Sequence, residues 1–280
     1  MTDEIHDPDT MPFVAPCRTI APMAPFRWLR LGYADFRRAL PQSLGYGIFM
    51  AATIALVCWL AWTYGSFWFL FAMVGGFIFL APLTCIGLYA LSAQIERGQP
   101  PSLKRALRAG LKRHIGNELT FALVLLIIFL VWARAGAAVS IFFPVEANPS
   151  LRDLATYLGI GTAVGAIFAA ITFSASAFAL PMLLHRRVDA ITGVVTSVNA
   201  VLRNKLPMMI WLGIVVVGVL LGAATLFVGL VVILPVIGHA AWHGYLETID
   251  ASAFPRHETG VTAVPRSKAG GNDAQSSSVS

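Results

Sequence analysis

The sequence predicts an all-α protein: a polytopic transmembrane helix bundle of six spans, arranged as three hairpins each preceded by an amphipathic surface helix. Three observations carry this expectation. Of the 280 residues, 57% are hydrophobic and only 12% charged, with a mean hydropathy of +0.73. A soluble domain needs roughly a quarter charged residues to cover its surface, so lipid covers much of this one. Apolar runs recur at the length of about 20 residues that a helix needs to cross a bilayer core of about 30 Å. Lys and Arg fall almost entirely to one side of those runs. A cytosolic enzyme, a disordered chain and a secreted disulfide scaffold are excluded. Cys17, Cys58 and Cys85 show no C-x-x-C spacing, so neither a redox centre nor a zinc site is suggested.

The spans follow in order. Leu44–Tyr64 is the first and Phe67–Ser92 the second, with a short uncharged turn near Gly65 and Ser66 between them. Leu119–Ala133 begins a third that extends toward Phe143, and Leu154–Leu184 is the fourth. The run Pro207–Ile249 is too long for one helix and suits two, with a break expected at Gly222, Thr225 and Gly229.

Orientation follows from the basic residues, because cytoplasmic loops retain them. Eighteen of the 20 Lys and Arg precede span one, separate spans two and three or four and five, or follow span six; only Arg134 and Arg152 remain for the other side. Both termini are expected in the cytoplasm of a bacterial cell, with the protein multi-pass in the inner membrane. The net charge of +6 flanks apolar segments, which points to anionic lipid headgroups as partners and away from nucleic acid. Residues 1–25 are polar and acidic with no cleavable signal peptide, and are expected to be a disordered cytoplasmic N-terminus. Residues 26–250 form the transmembrane domain. Residues 251–280, rich in Gly, Ser and charge, are expected to be a disordered tail.

Three cytoplasmic segments share one spacing: Asp35-Phe36-Arg37-Arg38-Ala39-Leu40, Ser102-Leu103-Lys104-Arg105-Ala106-Leu107 and Ser197-Val198-Asn199-Ala200-Val201-Leu202. Each opens on a residue type that caps helix N-termini and places apolar residues one and five positions later. In the second, Leu103, Ala106, Leu107, Leu111 and Ile115 share a face, with Lys104, Arg105, Arg108, Lys112 and Arg113 available to lipid headgroups. A basic amphipathic helix over 102–116 is expected to lie in the membrane surface. Each segment precedes a pair of spans, and the second of each pair holds one proline: Pro82, Pro181 and Pro235. The reading is three repeats of surface helix plus hairpin.

Three stretches carry a resemblance. They are Trp28-Leu29-x-x-Gly32-x-x-Asp35-Phe36 with Pro41-x-Ser43-Leu44-x-Tyr46-Gly47; Gly76-Phe77 through Leu80-Ala81-Pro82-Leu83 to Glu96-x-Gly98; and Leu234-Pro235-Val236-Ile237-Gly238-His239-Ala240-x-Trp242-His243-x-Tyr245. Together they resemble a bacterial family of predicted integral membrane proteins of unknown function (domain of unknown function 2189), over roughly residues 26–250. Some members carry a label connecting them to cytochrome c oxidase. The resemblance implies an inner-membrane protein and brings no activity and no catalytic residues. The catalytic oxidase subunit holds two haems and a copper on histidines from several helices. Here only His239 and His243 of six histidines lie within a span. No haem, copper or other cofactor is expected.

His239 and His243 are one helical turn apart and face one way. One reading is a metal pair completed by His185, Glu247 or Glu96. The favoured reading is interhelical hydrogen bonding beside the inner interface, with Trp242 and Tyr245 as belt residues. Arg134 is the one candidate intramembrane charge, either a functional site for an anion or, as favoured, a side chain snorkelling to the outer interface. No catalytic motif occurs, and no Asp, Glu or Lys is expected at mid-membrane. A non-enzymatic membrane or assembly component, engaging lipid or other membrane proteins, is therefore favoured. The alternatives are a small transporter with a site between hairpins, or a metal or redox protein of the respiratory chain.

Overall fold

Pro25 opens the first helix, where its missing N–H has no intrahelical partner to lose. The structure, a computed structural model, describes residues 12–65, 82–106, 115–142 and 150–256. Among them, α1 spans Ala24–Arg38, α2 Leu40–Tyr64, α3 Ile86–Glu96 (after a 3-10 turn at Leu83–Cys85) and α4 Ile115–Phe142. Then come α5 Leu151–Ser176, α6 Ala179–His185, α7 Ala190–Arg203, α8 Lys205–Ala224 and α9 Leu230–Thr248. Five described stretches are long and apolar enough to cross a membrane: α2, α4, α5 with α6, α8 and α9. The expected second span lies partly outside the described residues; its described part is the 3-10 turn and α3.

The turn between α8 and α9 falls where Gly222, Thr225 and Gly229 were expected to break the run. The Thr225 hydroxyl donates to the Gly222 carbonyl at 2.8 Å and accepts the Gly229 N–H at 2.8 Å. Leu226 and Phe227 take left-handed backbone angles (φ 52 and 69) to close it. The fourth span is not one straight helix. Pro181 obstructs the carbonyl four residues before it, and the chain breaks at Ala177 and Phe178. The Ser197 hydroxyl of α7 enters this gap, donating to the Ser174 carbonyl at 2.7 Å and accepting the Phe178 N–H at 3.1 Å. It thereby restores both ends of the lost helical hydrogen bond.

Helix α1 lies mainly along α9, which also meets α2, α3, α6 and α8. Its buried face is Ala24, Pro25, Trp28, Gly32, Asp35 and Phe36. The approach is close: a Cβ on Gly32 would lie 2.6 Å from the Ala240 backbone nitrogen, and one on Gly244 would lie 3.0 Å from the Trp28 ring. Trp28 stands edge-on to Trp211 (5.6 Å) and Phe178 (6.3 Å), and together with Trp242 and Tyr245 they centre the larger core cluster. A smaller cluster of Met50, Leu88, Ala90 and Leu91 takes up Ala106.

Two expectations are corrected. Asp35 and Ser197 do not cap helix N-termini; both are buried inside longer helices. The starts lie upstream, at Pro25 and at Asp189, whose carboxylate accepts the Thr192 N–H at 2.9 Å. Burial alone would push the Asp189 carboxyl up, but hydrogen bonds from Thr192 and Ile191 outweigh it and hold the group below its usual range. The described parts of the expected disordered termini are packed. Ala15, Cys17 and Ile20 are buried, and burial pushes the Cys17 thiol up. Arg18 N–H donates to the Thr248 carbonyl and Asp250 N–H to the Pro16 carbonyl, each at 2.8 Å. Ile20 N–H donates to Asn204 Oδ1 at 3.0 Å, at the joint between α7 and α8. After α9, Ala251 and Phe254 are buried and the Pro255 carbonyl accepts the Arg187 N–H at 2.9 Å. These short segments have no regular structure of their own to pair their backbone, and backbone and side-chain groups at the helix ends supply the partners. Residues 1–11 and 257–280 lie outside the described residues.

Candidate functional site

Five polar side chains from α1, α2, α3 and α9 form one hydrogen-bonded chain in the bundle. His243 Nε2 lies 2.8 Å from Asp35 Oδ2, and the Ser92 hydroxyl donates to the same oxygen at 2.9 Å. Ser92 Oγ lies 2.7 Å from His239 Nδ1, and His239 Nε2 lies 2.9 Å from Ser43 Oγ. Donor accounting sets the direction. Ser92 has one proton and spends it on Asp35, so it accepts from His239 Nδ1–H. His239 Nε2 then accepts the Ser43 hydroxyl. Every donor points toward the Asp35 carboxylate. The chain is sealed from outside except at one end: Ser43 and His239 are 0% exposed, Ser92 1% and Asp35 4%, while the His243 side chain is 19% exposed.

Sequence placed His239 and His243 on one face, and both do reach this chain. Asp35, Ser92 and Ser43 were missed as members. A signal for Asp35 was present: it falls on the helical stripe of Trp28 and Gly32, an acid on an otherwise apolar face. The serines carry no such signal, since only tertiary contact distinguishes them from other span serines.

Residues offered to complete a metal shell go elsewhere. His185 Nδ1 lies 2.9 Å from the Tyr245 hydroxyl, and Glu96 accepts Trp242 Nε1–H at 3.0 Å. Glu247 accepts Trp28 Nε1–H at 2.9 Å and pairs with Arg27. Among the described residues no group of three His, Cys, Asp or Glu is placed to hold a metal ion. Trp242 and Tyr245 are fully buried, which corrects their reading as belt residues: His185 and α1 cover them. Arg134 is exposed on α4, roughly 27 Å along the axis from Gly116 at 1.5 Å per residue. Lys104 and Arg105 are exposed beside a helical turn whose Ala106 is buried, whereas Arg108, Lys112 and Arg113 lie outside the described residues.

An apolar groove of about 610 Å³ runs between α8 and α9, with Gly213, Val217, Gly218 and Ile233 in its walls and Leu29 of α1 at its edge. It has the chemistry of an acyl-chain contact and none of a polar ligand site.

Residues 70–185 match the model of a family described as "Predicted integral membrane protein (DUF2189)". No curated protein and no solved structure matches the chain. With its several apolar helices, the chain is an integral membrane protein. The DUF2189 match takes in α3 through α6. Of the buried polar chain it contains Ser92 alone; Asp35, Ser43, His239 and His243 come from helices on either side of it.

Proposed function

We propose that the protein is a non-enzymatic inner-membrane component of six spans, with both termini cytoplasmic, that engages anionic lipid through its basic cytoplasmic helices and assembles with other membrane proteins. The observation that carries it is α1. One face of this helix is locked onto α9, while Arg30, Arg37 and Arg38 stand exposed beside exposed Phe26, Leu31 and Tyr33. Aromatic rings and guanidinium groups at one level suit a headgroup interface. The groove between α8 and α9 supports the same reading by offering an acyl chain a place against the bundle.

The three-hairpin arrangement has its own support. Asp35, Ser102 and Ser197, which open the three similar segments, each meet the second span of another pair. Asp35 pairs with His243 on α9, Ser102 N–H donates to Gln94 of α3 at 2.8 Å, and Ser197 fills the break between α5 and α6. Each surface segment thus docks on the preceding hairpin, cyclically. The transporter alternative has one observation in its favour, the buried Asp35.

The test is lipid retention by the full-length protein, purified from membranes and returned to nanodiscs of mixed phosphatidylglycerol and phosphatidylcholine. Each basic side chain near an anionic surface contributes about 1 kcal/mol. Replacing Arg30, Arg37 and Arg38 together by Gln should therefore weaken preference for the anionic lipid about a hundred-fold at low salt, and less as salt rises. Unchanged preference in the triple variant would contradict the reading.

A further inference from the structure

We infer that α8 and α9 enter the bilayer from the cytoplasmic side as a hairpin whose turn, Thr225 to Gly229, ends among the acyl chains and presents Leu226, Phe227 and Val228 to hydrocarbon. This rests on the proposed topology, in which α2 is a span and both termini are cytoplasmic. It deepens that topology at the last pair of helices, which turn back below the outer interface.

Two contacts fix the level of α9 against α2. Ser43 Oγ lies 2.9 Å from His239 Nε2, and Gly47 is pressed on the Val231 carbonyl and the Pro235 ring. The two helices therefore lie side by side and antiparallel in sequence. At the level of Gly47, α9 has one residue left before its start at Leu230. Helix α2 continues to Tyr64, roughly 25 Å farther at 1.5 Å per residue. Leaning by about 40°, the upper end of the usual range, it would still rise roughly 19 Å. Its far end carries Trp59, Trp62 and Tyr64, all exposed. Indole and phenol rings gathered at a helix end mark the membrane–water interface. The turn cannot cover the remaining height, because it closes at once: Gly222 packs on Leu230, and the Phe227 N–H donates to the Gly222 carbonyl at 3.1 Å.

The chemistry of the turn fits that depth. In hydrocarbon a backbone donor has no water to turn to, so non-helical backbone must be paired within the protein. Every N–H from Thr225 to Ile233 is paired here. Gly229 donates to the Thr225 hydroxyl, and the others donate to carbonyls between Leu221 and Gly229. The Thr225 hydroxyl gives its own proton to the Gly222 carbonyl, so the turn's one polar side chain is satisfied as well. Leu226 is 84% and Val228 71% exposed, which would set them against water outside the membrane and sets them against acyl chains within it. No Trp, Tyr or charged residue occurs from Leu212 to Gly238 to anchor the pair at an outer interface. The outer end of α5, by contrast, opens with exposed Arg152 and Asp153.

The experiment measures depth in the full-length protein with Cys17, Cys58 and Cys85 replaced by Ser. Single cysteines are introduced as Tyr64→Cys, Leu226→Cys, Val228→Cys and Ser252→Cys, all at exposed positions. Each site is spin-labelled in nanodiscs and read by its collision rate with oxygen, which concentrates among acyl chains, against that with a water-soluble nickel chelate. The ratio should be several-fold higher at positions 226 and 228 than at 64 and 252. In intact cells a membrane-impermeant maleimide should label Tyr64→Cys from outside and none of the other three. A low ratio at positions 226 and 228, or outside labelling there, would take the turn out of the acyl region and overturn the inference while leaving the proposed topology standing. Outside labelling of Ser252→Cys, or acyl depth at position 64, would contradict that topology itself and the inference with it.

Discussion

Helices α9 and α4 are both apolar enough to span a bilayer, yet half of the spanning window of α9 is buried in protein and only 6% of that of α4. Their side chains divide accordingly. Helix α4 turns Leu119, Leu123, Leu126, Ile127, Leu130 and Val131 outward and buries Phe121 and Leu125. Helix α9 buries Pro235, Gly238, His239, Ala240, Trp242, Gly244 and Tyr245. The more aliphatic helix is the less enclosed. In water, apolar burial drives folding; in lipid, a leucine gains little by leaving acyl chains for protein. Close backbone approach and hydrogen bonds decide instead which helix is central.

The comparison should break most severely at glycines. Pro235 withdraws the N–H that would pair with the Val231 carbonyl, and that carbonyl packs directly on Gly47, where any Cβ would overlap it. Gly32 is similarly pressed on the Ala240 backbone. Gly47→Ala and Gly32→Ala should each abolish recovery of monodisperse protein. Gly159→Ala on α5, where a Cβ meets nothing within 4 Å, should leave recovery unchanged and raise stability by up to about 1 kcal/mol through helix propensity. Equal losses at all three positions would erase the distinction.

A smaller effect is expected where α7 repairs the fourth span. Ser197→Ala leaves the Phe178 N–H and the Ser174 carbonyl without their partner and should cost about 1–3 kcal/mol, read as a lower melting temperature in detergent. Ser174→Ala, whose hydroxyl only donates back to the Ala170 carbonyl, should be near neutral.

This division also explains what was legible in the sequence. Hydropathy reports contact with lipid, so α2, α4, α8 and the turn at Gly222 to Gly229 could be placed from composition and spacing. The shared face of His239 and His243 follows from helical periodicity. Burial of Asp35, its link through Ser92, and the packing of residues 12–23 depend on partners far apart in sequence. No local pattern separates Ser43 or Ser92 from a serine bonded to its own helix. The capping role assigned to Asp35 and Ser197 failed for the same reason: helix-start preferences are local, and tertiary contact decided those positions.

The smallest effect concerns Asp189. Its carboxyl is held below the usual range as the cap of α7, so the stability it contributes is fully present above the ordinary carboxylate pKa of about 4 and disappears as pH falls through its lower folded value. Asp189→Ala should lower stability by about 1 kcal/mol at neutral pH. The difference from wild type should shrink in acid; a constant difference would assign the effect to something other than the charge.

The most direct test compares one truncation in the two regions. Leu91 on α3 is fully buried, and Leu130 on α4 is 55% exposed. Unfolding of Leu91→Ala and Leu130→Ala should be measured side by side in the same nanodiscs. The buried truncation leaves a cavity and should cost about 2 kcal/mol through lost packing alone, and the lipid-facing one no more than about 0.5 kcal/mol. Equal costs would contradict the assignment of α4 to lipid and of the core to the helices gathered around α9.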